Sequence, residues 1–311
     1  MPVTPQMGRL TFEDCVASVV NDYKVNGRKT LAHAQRRIDK HLQPYFGRRR
    51  MVDITTDDVN AFTVRRLDAG ASNAEINREL ALLKRMFTLA VDGKQLMVKP
   101  HIPMLKERNV RAGFFESSAF DAVRAALPAA LQPVVTFAYF TGWRVPSEVL
   151  TLEWRQVDFA AGEVTLDPET TKNGEARTFP FAEHDGLRTL LVEQRAEAAQ
   201  LKRKGIICPL VFHRHGKPIR DFYGAWRSAC KRAGCPGRIP HDFRRTAVRN
   251  LSRAGVPDTV SMKLTGHLTR SVFDRYRIAS KDDLRDAARR LNQLHGTKVG
   301  QSGTSAESAT A

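Results

Sequence analysis

The alternation of apolar and polar positions divides the chain into a helical first third and a mixed remainder. From Thr11, the apolar residues Phe12, Val16, Val19 and Val20 recur at helical spacing behind a threonine suited to cap the helix. A second stripe, Leu31, Ala34, Ile38 and Leu42, runs through TLAHAQRRIDKHLQPYFG and closes at Gly47. ITTDDVNAFTVRRLDAG predicts a third helix, capped near Thr55 or Thr56 and stopped at Gly70. In the fourth, Ser72 and Glu75 have capping-box spacing, and Ile76, Leu80, Leu83, Phe87 and Ala90 follow until Gly93. Four helices with short connections predict a small helical domain over residues 11–95, after a disordered start at 1–10. Residues 96–113 carry prolines and charges without a stripe. They read as an extended linker, the tether that a clamp around a duplex would need.

A second domain is expected over 114–295. Helical pattern opens it, PVVTFAYF is apolar enough to be buried, and TGWR turns sharply into another helix near Pro146. The period then shortens. Val157 with Phe159, Val164 with Leu166, and Thr178 with Phe179 predict three short strands joined by glycine-containing turns. Helices return over about 184–204, after FHRHGKPIRD, through HDFRRTAVRNL and over 281–294, and the small polar tail 296–311 reads as disordered. The fold class is mainly α with a small antiparallel β-sheet, in two domains.

Charge narrows the function. The 311 residues include 50 Lys and Arg against 33 Asp and Glu, a formal net charge of +17, spread along the chain rather than held in one tail. Such a surface suits a polyanion, whose counterions are released on binding. Arg36, Arg37, Arg65, Arg66, Lys84 and Arg85, on the expected outer faces of the first domain, and Arg245 in the second, read as DNA-backbone contacts. Cys15, Cys208, Cys230 and Cys235 show no CxxC spacing, and there is neither a secretory leader nor an apolar run of membrane-spanning length. This predicts a reducing cytoplasm, buried structural thiols, no metal and no membrane partner. His213 and His215 read as loop residues, and Tyr139 and Tyr223 as core.

The chemistry concentrates between His241 and Tyr276. HDFR puts His241 and Arg244 on one helix face, LTGH supplies His267, and Tyr276 follows. Attack on a phosphodiester builds charge on the non-bridging oxygens, and guanidinium forks from distant segments, Arg144 and Arg244, could grip both. A tyrosine hydroxyl, with its reference pKa near ~10, needs a base or a strongly positive pocket, which His241, His267 and the arginines offer. Lys172, at the tip of the TTKNGEART hairpin, could protonate the departing oxygen.

The ordered set of TGWR with Glu148, the hairpin Lys172, HDFRRT, LTGH and Tyr276 resembles the tyrosine recombinase (phage integrase) family from about residue 11 to 290. The resemblance implies a helical, SAM-like core-binding domain followed by a catalytic domain. It implies a site-specific recombinase or integrase acting through a 3′-phosphotyrosyl link. Tyr276 would be the nucleophile, Arg144 and Arg244 the phosphate clamp, and Lys172 the general acid. His241 would assist proton transfer, His267 would bond a phosphate oxygen, and Glu148 would support the clamp. It implies a homotetramer on double-stranded DNA, possible use of an accessory directionality factor, and no cofactor. RVPSE places Val145, Pro146 and Ser147 between Arg144 and Glu148, one residue more than the family's usual spacing, which sets Glu148 apart. The first helix begins so early that no arm-site domain is expected ahead of it. The alternative reading is a catalytically degenerate DNA-binding accessory or regulatory protein.

Overall fold

In a computed structural model, residues 8–107, 113–171, 174–276 and 281–299 are described. They fall into two units, Met1–Val110 and Arg111–Ala311, each with its own apolar core. The ends read as disordered lie largely outside the described residues, at 1–7 and 300–311, as does 108–112.

In the first unit, helix α1 (Phe12–Val25) starts where the Thr11 hydroxyl accepts from the Asp14 N–H, while the Asp14 carboxylate accepts from the Thr11 N–H. Thr55 and Asp58 repeat this reciprocal cap before α4 (Thr56–Asp68), and each cap contributes about 1 kcal/mol. Between them, α2 (Leu31–Arg37) passes through a wide π-turn, Ile38–Leu42, into α3 (Gln43–Phe46). Pro44 has no N–H to give and crowds the carbonyl one turn back, and the wide turn accommodates it. In α5 (Asn73–Asp92), the Ser72 hydroxyl accepts from the Glu75 N–H at 3.3 Å, but the Glu75 carboxylate does not reach back to Ser72. It takes the Arg37 guanidinium instead, at 2.8 and 3.1 Å, so the expected capping box is half made.

The basic residues of this unit divide in two. Arg37 is held by Glu75, Arg66 donates twice at 2.9 Å to the fully buried Glu79, and Arg85 grips Asp22. These three tie helices together rather than facing outward as expected, because a carboxylate on a neighbouring helix stands within reach of each. Arg36, Arg65 and Lys84 are exposed. The segment read as a linker is extended, yet through residue 107 it packs on this unit. Leu96 and Ile102 are buried, the Asn77 amide exchanges two 2.8 Å bonds with the backbone of Leu105, and Asn73 donates to the Lys106 carbonyl.

The second unit opens with α6 (Ser117–Ala125) and α7 (Gln132–Thr141), then a second π-turn, Val145–Val149. Strands β1 (Val157–Asp158), β2 (Glu163–Leu166) and β3 (Arg177–Pro180) form an antiparallel sheet in that order, with Val164 opposite both Val157 and Phe179. Then come α8 (Asp185–Arg203), α9 (Tyr223–Arg232), α10 (Asp242–Arg253), α11 (Asp258–Thr265), α12 (Arg270–Asp274) and α13 (Lys281–Val299), which runs past residue 295. The apolar helix α7 buries Val134, Val135, Phe137 and Ala138 at the centre, and Phe115, Trp226 and Phe243 pack as an aromatic cluster. The architecture is mainly helical with one small antiparallel sheet, as the pattern predicts. Tyr139 is buried as expected, whereas Tyr223 is 52% exposed. It opens α9 before the buried stripe of Trp226, Ala229 and Cys230 begins. His213 lies in a loop, as read, but is buried. All four thiols are free, with Cys15 and Cys230 buried. Among the described residues, no helix is long and apolar enough to cross a membrane, and no cluster of three or more His, Cys, Asp or Glu could hold a metal ion.

Candidate active site

Two left-handed glycines set the floor of the site. Gly142 ends α7 at φ +69° and Gly266 ends α11 at φ +72°, a conformation that L-residues with side chains rarely adopt. Their carbonyls both accept from Arg244, at 3.1 Å from Nη1 and 3.0 Å from Nη2. The third donor, Nε, points at His267 Nε2 at 3.2 Å. Arg244 is only 2% exposed. Burial, then the charge of Arg144, push its guanidinium down to about 9, so it stays protonated at neutral pH.

His267 is oriented by its other ring nitrogen. The Thr265 hydroxyl donates to the Ser261 carbonyl at 2.6 Å, so it can only accept from His267 Nδ1, 2.8 Å away. That places the ring proton on Nδ1 and leaves Nε2 to accept from Arg244. Burial, then the cations of Arg244, Arg144 and Arg177, push the imidazolium down to about 3, which fits a neutral ring. The phosphate contact expected of His267 finds both nitrogens engaged with the protein, because a ring so deeply buried needs partners of its own.

Arg144 follows Gly142 and Trp143 at the head of the π-turn. Its guanidinium pairs with Glu148, whose carboxylate also accepts from the Arg144 N–H at 2.8 Å. The turn closes through bonds five residues apart, from the Val149 N–H to the Arg144 carbonyl and from Leu150 to Val145. The residue in excess of the family spacing is absorbed there, and Glu148 still folds back onto Arg144. Glu148 is fully buried. Burial raises its carboxyl, but Arg177, the Arg144 N–H and the Arg144 guanidinium outweigh that and hold it below the ordinary range.

Tyr276 sits in the turn after α12, half-buried, with its N–H bonded to the Phe273 carbonyl. Its hydroxyl lies 2.8 Å from His241 Nε2, and its ring centroid lies 4.7 Å from that of His267. His241 occupies the residue before α10, exposed along one edge. Desolvation of its inner face, then Arg244, Arg144 and Arg245, push its imidazolium down to about 4. Arg245, expected at the DNA backbone, holds its guanidinium 5.6 Å from the Tyr276 ring, with a buried Nη1 that has no hydrogen-bond partner. Lys172 lies outside the described residues.

Five of the six residues expected in catalysis, together with Glu148, thus meet in one site. Sequence reasoning missed Arg177. It is 5% exposed, donates to both Glu148 oxygens at 3.1 and 3.4 Å, and lies 5.6 Å from the Trp143 ring. A signal was present: Arg177 shares the inward face of β3 with Phe179, an odd place for a charge without a partner.

Residues 116–282 match the model of a family described as the phage integrase family. The integrase of Salmonella phage P22 is 28% identical over 230 residues, covering 71% of this chain and 58% of that protein, so the chain spans a little over half of that relative's length. A crystal structure of a lambda integrase dimer bound to a COC′ core site aligns with TM-score 0.71 and 17% identity, over 86% of this chain and 96% of the other. A lambda integrase tetramer bound to a Holliday junction aligns with TM-score 0.69 and 18% identity, over 86% of this chain and 78% of the other. At such identities these structures establish a shared two-domain fold.

Proposed function

The chain belongs to the phage integrase family, and from that premise we propose that it is a site-specific DNA recombinase that cuts and rejoins duplex DNA through a 3′-phosphotyrosyl intermediate on Tyr276. The observation that carries this reading is the 2.8 Å approach of the Tyr276 hydroxyl to His241 Nε2, beside Arg144 and the buried Arg244. A neutral imidazole with its lone pair toward a phenol accepts the proton as the phenol oxygen attacks phosphorus. Arg144, which keeps part of its guanidinium open to solvent, and Arg244 receive the developing charge on the phosphate oxygens. His267 acts through Arg244, fixing its fork by the Nε contact. The P–O bond to the 5′ carbon side breaks, and its oxygen leaves with a proton that we assign to Lys172. Energy held in the phosphotyrosine is then available for rejoining when a 5′ hydroxyl attacks. A lambda integrase relative is a tetramer on a Holliday junction, and a homotetramer on two DNA sites is the assembly this chemistry calls for.

The test uses a pool of nicked duplexes with randomised sequence around the nick, incubated with wild-type protein and with Tyr276→Phe in the presence of a chelator. A denaturant-resistant adduct joined through a 3′ phosphate, on wild type and absent from the variant, is the expected result, and sequencing the captured DNA yields the target. Tight binding with no adduct would move the assignment to a DNA-binding regulator. An adduct that survives Tyr276→Phe would place the nucleophile elsewhere.

A further inference from the structure

Resting on the recombinase reading of this site, we infer that Arg177 is a positioning residue for DNA cleavage: sharing the buried Glu148 with Arg144, it keeps the arginine clamp one full charge ahead of the resting phosphodiester. The guanidinium groups of Arg144 and Arg177 both pair with Glu148, and the charges of Arg144, Arg177 and Glu148 all act on the buried Arg244. Their balance is a net charge of two, because both histidines are held neutral by the same field. A phosphodiester enters with one negative charge and carries two once the deprotonated phenol oxygen has added to phosphorus. The surplus carried by these guanidinium groups therefore attracts the attacked phosphate more strongly than the bound one, which is the condition for an interaction to speed the chemical step.

The geometry explains why Glu148 alone does not serve. With Arg144 as its only partner, a fully buried carboxylate would neutralise the guanidinium that reaches the phosphate. That would leave Arg244 as the one net cation. Arg177 takes up the carboxylate from the other side, through both oxygens, while Arg144 keeps its own contacts to the same group. Arg177 is in turn fixed on three sides. The Trp143 ring lies beside it, β3 holds its backbone, and Gly266 leaves room for it, since a Cβ there would fall 2.2 Å from Arg177 Nη2. The same Gly266 offers its carbonyl to Arg244. One guanidinium thus links the strand, the π-turn and the LTGH turn.

A structural role and an electrostatic role separate in two variants. Arg177→Gln keeps hydrogen bonding and loses the charge, whereas Arg177→Lys keeps the charge and loses the fork. Adduct formation on the nicked-duplex pool is followed in a single turnover, with equilibrium binding measured on the same pool. Losing one preorganised cation is expected to slow adduct formation on the order of 10²-fold in Arg177→Gln, with binding within about threefold, and Arg177→Lys is expected within about tenfold of wild type. Should Arg177→Gln fold poorly, Glu148→Gln combined with Arg177→Gln removes both halves of the buried pair and restores the net charge. It is expected to recover adduct formation to within about tenfold of wild type. If Arg177→Lys is as slow as Arg177→Gln and the double variant recovers nothing, the residue is structural and the inference fails. Absence of an adduct on wild type would overturn the recombinase reading, and this inference with it.

Discussion

His241 and His267 stand in one electrostatic field and answer it differently. His267 is locked by Thr265 and Arg244, while His241 spends its Nε2 on a hydroxyl that can react. Both imidazoles are pushed below their ordinary 6.5, to about 4 and about 3. Between pH 6.5 and about 4 the unfolded chain therefore binds protons that the folded site refuses. Stability from these groups is complete above pH 6.5 and is lost as pH falls through that window. For the buried His267 the loss between pH 7 and pH 5 should be on the order of 2 kcal/mol. Denaturant titrations at the two pH values check this: His267→Asn should flatten the difference, and an unchanged slope would mean the ring is not held neutral. This histidine was legible in the sequence because an LTGH turn before a lone tyrosine is chemically conspicuous. Its partner was not, since which nitrogen faces which group depends on a hydroxyl, Thr265, that a sequence reader has no reason to single out. Arg177 was hidden for the opposite reason. An arginine in a short polar hairpin looks like surface until the strand register turns it inward.

At the scale of elements, caps and stripes were legible because they are local: Thr11 and Thr55 cap the helices they precede. What escaped was every place where a distant group competes for a side chain, as when Arg37 draws Glu75 out of its capping box. The π-turn at Val145–Val149 is a subtler case, because an extra residue reads as a disrupted motif until the wide turn absorbs it. In such a turn the fourth residue along points nearly where the third points in an α-turn. Deleting the exposed Ser147 should therefore let the segment close as an ordinary turn with Arg144 and Glu148 still paired. Adduct formation by that variant should stay within about tenfold of wild type, whereas Glu148→Ala, which strands the buried Arg177 and frees Arg144 from its partner, should abolish it. A different element-level dependence concerns the segment after α5. Asn77→Ala removes its bonds to Leu105 and Glu107, which should cost about 1–3 kcal/mol. Limited proteolysis should then cut within 96–107, and equal resistance in wild type and variant would show that the segment is held without the Asn77 bonds, by contacts such as buried Leu96 and Ile102 and the Asn73 bond to Lys106.

Across the whole molecule, net charge and local pairing must be separated before a DNA-binding face can be assigned. A surplus of +17 predicts a steep salt dependence, with log K falling by about 0.9 for each phosphate contact per decade of salt. Which cations supply that slope is a question of where they point. Arg36, Arg65 and Lys84 are exposed, whereas Arg37, Arg66 and Arg85 are engaged with Glu75, Glu79 and Asp22. A cation already paired with a carboxylate on a neighbouring helix has little to give a phosphate, and where that carboxylate is shielded from solvent, as those of Glu79 and Asp22 are, removing the cation strands it. Alanine at each of the first three should weaken DNA binding uniformly across sequences and reduce the salt slope by up to about 1, with thermal stability unchanged. Alanine at Arg66, by contrast, leaves the fully buried Glu79 without its bidentate partner and should cost about 3–5 kcal/mol of stability, with the salt slope of the folded fraction intact. Binding titrations from low to high salt, paired with thermal melts, read both quantities on the same four variants. Were Arg66→Ala to lower the slope while leaving the melt unmoved, the pair with Glu79 would open on DNA. The division between scaffold and contact residues would then have to be redrawn.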